Sequence, residues 1–189
     1  MTAARVIPPQ HPRRFTALQR LLHWAMAVCI LAMLFIGVGM VSTISTRYLT
    51  LVSIHKPLGL AILILALLRL GLRLRRGAPP LPADLPEPMR LAAKLSHVAL
   101  YALMIAMPLI GWAMLSAEGV PVVAGGLRLP AILPQSLEMY ALLRNAHGYL
   151  AYAFFAVILL HIGAGLYHAL VRRDGVFEAM APVPTKALD

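Results

Sequence analysis

Six of the seven histidines in this 189-residue chain fall in or beside long apolar stretches: His23, His55, His97, His147, His161 and His168, with His11 in the N-terminal segment. An ionisable side chain at membrane depth is costly and defaults to a functional reading. Imidazole can hold a metal, pass a proton, or hydrogen-bond a neighbouring helix. One such histidine is accounted for by the last of these alone. Six in one short chain ask for more.

Spacing narrows the chemistry. His147 and His161 are 14 residues apart. At about 100° per residue this falls about 40° short of four full turns, so both rings share a helix face, about 21 Å apart along the axis. That places one near each side of a hydrocarbon core about 30 Å thick, a geometry suited to two haems stacked across a bilayer. Each iron then needs a second ligand at matching depth. His23 opens the first stretch and matches His161, whereas His55 opens the second and matches His147. Two nitrogens fill both axial positions of each iron, which favours electron transfer over oxygen binding. His168 rivals His161, because seven residues keep it on the same face. Pairing it with His147, however, needs about 31 Å and pushes one ligand into the headgroups. His97 has no depth-matched partner left. His97 and His168 sit near one end of the bundle, where contact with haem propionates or a quinone and simple hydrogen bonding between helices fit equally.

The elements that carry these residues are four apolar stretches, about Leu18–Val41, Leu49–Leu72, Leu91–Leu115 and Leu142–Val171. Each is long enough for a transmembrane helix, which takes about 20 residues. The fold class expected is all-α, a transmembrane four-helix bundle. Gly77–Pro88 is too proline-rich for helix, and Gly119–Pro134 reads as a second irregular loop. Pro57 falls near a helix start and Pro108 is expected to kink the third helix. Gly37, Gly39, Gly59, Gly148, Gly163 and Gly165 allow close approach of a flat macrocycle or of another helix. Trp24, Trp112, Tyr48, Tyr140 and Tyr149 suit an interfacial aromatic belt.

Composition agrees. The chain is 60% hydrophobic and 13% charged, with a mean hydropathy of +0.79, more apolar surface than a soluble core of this size hides. Its net charge of +10 comes from 17 Lys+Arg against 7 Asp+Glu. The basic residues flank the apolar stretches, a pattern of membrane anchoring and not of nucleic-acid binding. Arg5, Arg13, Arg14 and Arg20, then Arg73, Arg75, Arg76, Arg90 and Lys94, then Arg172 and Arg173 outweigh Arg47, Arg128 and Arg144 in the alternate loops. Both termini and the middle loop are therefore expected in the cytoplasm. The expected division is a tail over 1–16, the four-helix di-haem domain over 17–172 and a tail over 173–189. Cys29 is the only cysteine, so no disulfide forms within the chain and covalent haem attachment through Cys-x-x-Cys-His is excluded. No removable signal peptide is read, and the first apolar stretch is expected to stay in the mature protein.

These residues resemble the bacterial cytochrome b561 family over about Arg14 to Pro182. The likeness is carried by His23-Trp24, His55-Lys56 with Gly59, and Ser96-His97 with Tyr101, Pro108, Gly111 and Trp112. It is strongest in His147-Gly148, His161, His168 and Arg172-Arg173-Asp174-Gly175. One departure is Ala169, where many relatives carry a second histidine. The resemblance implies a four-helix bundle of the bacterial inner membrane with two non-covalent b haems, contact with ubiquinone, and His23, His55, His147 and His161 as iron ligands. Lys56, Arg69, Arg73, His97 and His168 become candidates for propionate or quinone contact. Interfacial anchoring accounts for them as well, except for Arg69, which lies deeper and needs a partner. Family members include a superoxide oxidase, and the implied activity is electron transfer from a donor on the periplasmic side, such as superoxide, to the ubiquinone pool. The excess of Arg47, Lys56, Arg128 and Arg144 over Glu118 and Glu138 in the outer segments suits a small anion. An electron-relay subunit anchoring a larger dehydrogenase or hydrogenase, with a protein partner, is the alternative. A histidine-lined proton channel is a third reading, separable by the absence of haem colour.

Overall fold

The computed structural model describes residues 14–124 and 126–182; the expected tail over 1–16 lies largely outside them, as does the last part of that over 173–189. Four helices are long and apolar enough to cross a membrane: α1 (Ala17–Ser42), α2 (Arg47–Arg76), α3 (Glu87–Glu118) and α4 (Leu137–Tyr167). Several of their ends fall where the sequence supplies partners for unpaired backbone groups. Thr16 and Gln19 form a reciprocal capping box at the start of α1, and Ser136 caps α4 by accepting from the Met139 N–H. Gly77 ends α2 with φ 71° and Gly119 ends α3 with φ 84°, a left-handed region that favours glycine.

Three details differ from the sequence reading. α3 begins at Glu87, so Pro88 belongs to its first turn, where a missing N–H costs nothing. The loop after α3 carries a short antiparallel hairpin, β1 (Val122–Ala124) with β2 (Leu127–Leu129), in register Val122↔Leu129. Pro57 lies well inside α2, which starts at Arg47.

α1 packs on α2 and α3 on α4, and α2 joins the two pairs through α3. The backbone of α4 scarcely approaches α1 or α2. The buried core is one apolar layer: Met26 and Ile30 from α1, Ile62 and Ala66 from α2, Met104 from α3, Phe154 and Ile158 from α4. Large apolar side chains such as Phe35, Val38, Tyr152 and Leu160 point outward, as helices facing lipid require.

α4 runs on into a π-helical turn, His168–Arg172, and the chain folds back as α5 (Val176–Met180). The Phe15 N–H donates to the Ala179 carbonyl at 3.1 Å, and Trp24 Nε1 donates to the Met180 carbonyl at 2.9 Å. Gln19 Nε2 donates to the Gly77 carbonyl at 3.0 Å. The ends of α1, α2 and α4 are thereby tied together on the side expected to be cytoplasmic.

Candidate functional site

α4 presents His147 and His161 on one side, with Phe154 and Ile158 of the buried layer between them. His161 faces His23 of α1 with ring centroids 6.3 Å apart and planes at 78°. His147 faces His55 of α2 at 6.2 Å and 64°. The rings that face each other thus come from helices that do not pack together, which leaves space between α4 and its two partners.

A metal bound end-on between two imidazoles, at a metal–nitrogen distance of about 2.0 Å on each side, sets the ring centroids about 6 Å apart. Both pairs have that separation. Among the described residues no group of three or more His, Cys, Asp or Glu could hold a bare metal ion. What two opposed imidazoles can hold is an iron whose other four positions are already filled, as in haem. The Nδ1 atoms of His55 and His147 and the Tyr101 hydroxyl are buried without hydrogen-bond partners. Buried polar groups without partners are rare in a finished structure. A ligating histidine usually gives its second nitrogen to a carbonyl or carboxylate, and the backbone carbonyl of Met107 lies beside the His147 ring. The residues present therefore fit haem.

The inner pair has more company. A cavity lies among His23, His161, Arg69, His97, Tyr101 and Met104. Arg69 of α2 donates to His23 Nδ1, and its guanidinium carbon is 6.0 Å from the centre of the Tyr101 ring. An imidazole that gives Nε2 to iron keeps its proton on Nδ1, so a ligating His23 requires the guanidinium to turn to another acceptor. His97 packs against His161 with centroids 5.5 Å apart. Its Nδ1–H donates to the Ala93 carbonyl at 2.6 Å. A carbonyl can only accept, so His97 Nε2 carries the lone pair.

His168 is not at either pair. It is buried in the π-turn, and its Nδ1 meets the Asp174 carboxylate at 2.8 Å. Arg172 bonds Asp174 at 2.8 Å and Asp84 of the α2–α3 loop at 2.7 Å. π-Turns of this kind recur at functional sites. Arg73 lies in the last turn of α2, with its carbonyl accepting from the Gly77 N–H, and Lys56 is half-buried one residue after His55. Tyr101 and Asp174 were not singled out from sequence as site residues. Tyr101 follows His97 by four positions and so shares its face. Asp174 follows His168 by six, a contact that only the π-turn and the reversal after it bring about.

Four apolar helices carrying paired, half-buried imidazoles at two levels fit a membrane cytochrome of the b type. The prokaryotic cytochrome b561 family model matches residues 14–182. The chain is 35% identical over 132 residues to a protein of Yersinia pestis named probable superoxide oxidase CybB, covering 68% of this chain and 73% of that one. It is 27% identical over 177 residues to cytochrome b561 homolog 1 of Escherichia coli K12, covering 89% and 97%. To homolog 2 of the same organism it is 30% identical over 178 residues, covering 89% and 92%. The chain belongs to the prokaryotic cytochrome b561 family. It is a haem-binding, multi-pass electron-transport protein of the bacterial inner membrane.

Proposed function

We propose that this chain carries two b haems, one between His23 and His161 and one between His55 and His147, and moves electrons from a periplasmic donor, superoxide, to ubiquinone. The observation that carries this reading is the single face of α4 that offers an imidazole at each of two depths, each opposed by a histidine of a different helix. When bound, haem supplies a reversible one-electron change at iron. The protein's own groups do the rest. The four imidazoles would hold the two haems, His23 with His161 and His55 with His147. The Met26, Ile30, Ile62, Phe154 and Ile158 layer keeps water from between the two levels. Arg69 and Tyr101 offer donors to carboxylates at the inner level, and His97 offers an acceptor. Arg73 and Lys56 are placed to anchor groups at the two rims.

Both termini lie in the cytoplasm in this reading, so the His55–His147 pair is the outer one. Each superoxide gives up one electron and leaves as O2, and two such electrons with two protons convert ubiquinone to ubiquinol. His168, held by Asp174, is the imidazole placed for quinone contact at the cytoplasmic end. The reading is supported by the name of the Yersinia pestis relative. The two Escherichia coli relatives have names that state no such activity, and an electron-relay subunit is the second reading.

Purified, haem-loaded protein given superoxide and ubiquinone decides between them. The proposal expects ubiquinol formation that disappears in His55→Ala. Fully loaded protein that forms no ubiquinol contradicts the oxidase and leaves the relay.

A further inference from the structure

The two histidine pairs are alike in geometry and unlike in charge. The chain's seven carboxylates are Asp84, Glu87, Glu118, Glu138, Asp174, Glu178 and Asp189. Those among the described residues lie at helix ends, in loops or in the short α5, so none of the described carboxylates stands at membrane depth. Arg69 does, seven residues before the last of α2, about 10 Å in from that end. Its neighbours are the His23 ring and Tyr101, neither of which carries a compensating negative charge. A guanidinium in such a place is costly and is retained only where something offsets that cost.

Around the outer pair the neighbours are different. His55 and His147 face each other, and the Met107 carbonyl lies by His147. Among the described residues no hydrogen bond or ion pair joins either ring to a cation. Arg144 points outward, and Lys56, next to His55 in sequence, leaves the helix about 100° around from it.

We propose that Arg69 makes the inner pair the site of higher reduction potential, so that an electron entering at the outer pair runs inward. The inference rests on the two-haem reading above. Oxidised iron carries one more positive charge than reduced iron. A buried cation close by therefore opposes oxidation, and the low dielectric of the bundle leaves that effect poorly screened. The step itself is a one-electron exchange: the outer site is oxidised, the inner site reduced, and no proton or bond need change. The electron is supplied by a one-electron donor at the outer face and removed by a quinone.

The test is an equilibrium redox titration of the haem absorbance of purified, loaded protein. Wild type should show two one-electron waves. In Arg69→Met the upper wave should fall toward the lower by at least tenfold in the exchange equilibrium, about 59 mV for one electron, with the lower wave unmoved. Arg69→Lys, which keeps the charge, should retain most of the separation. His147→Ala, left with the inner site alone, should show only the upper wave, and it decides the order should Arg69→Met fail to load. A lone lower wave in His147→Ala, or an Arg69→Met titration that moves the lower wave or neither, overturns the proposal. A wild type holding fewer than two haems overturns the two-haem reading instead.

Discussion

Each imidazole of a facing pair can be removed on its own, and the losses should be local. His161→Ala should lose one of the two haems and keep the spectrum of the other, and His55→Ala should do the same at the opposite level. Pyridine haemochrome quantitation against protein checks this, with a ratio falling by half in each variant. The facing of these rings was legible in the sequence, because spacing on α4 sets the face and depth of His147 and His161 and the depths of His23 and His55 match them. Arg69 was legible as a residue needing a partner, but not which partner, since nothing in sequence brings α2 of that level against His23. Asp174 was not legible as a partner of His168. Burial pushes its carboxyl up, yet hydrogen bonds from Arg172, His168 and the Val176 N–H outweigh this and hold it below its ordinary value. A depressed folded-state value means stability that is present above the unfolded value of about 3.9 and lost as pH falls through the folded one. Asp174→Asn should therefore melt below wild type at pH 7, and the gap should close as pH falls below about 4. Thermal unfolding followed by circular dichroism at both pH values measures it.

At the level of elements, α4 is the member that cannot be altered quietly. One alanine inserted after Phe155 adds about 100° of rotation and 1.5 Å of rise between His147 and His161. The inserted protein should remain helical and membrane-bound yet hold no more than one haem, which haem quantitation on the extracted membrane fraction reads. The cap of α1 is a separate matter. Thr16→Ala removes both hydrogen bonds of the threonine hydroxyl and should lower stability by about 1 kcal/mol with haem content unchanged. The existence of the four helices was legible from apolar runs. The α3–α4 connection was less so. Its glycines and prolines announce a loop, but the pairing of Val122 with Leu129 is set by tertiary support. The Trp112 indole donates to the Pro130 carbonyl at 2.9 Å, and the Ile132 N–H donates to Ser116 Oγ at 3.2 Å.

For the molecule as a whole, the arrangement of helices decides function more than any one of them. α4 leans on α3 and stands away from α1 and α2, and its histidines reach across that space. No sequence pattern states which helices stay apart, because apolar surface facing lipid and apolar surface facing a macrocycle look the same. The C-terminal turn back onto α1 was equally hidden, since α5 has only five residues and is held by backbone acceptors for Arg14 and Trp24. The account turns on one segment serving two irons. A reduced-minus-oxidised spectrum of the purified chain, with haem counted per polypeptide, tests this most directly. The account predicts two b haems per chain; one haem, or none, in protein made with haem in excess would contradict it.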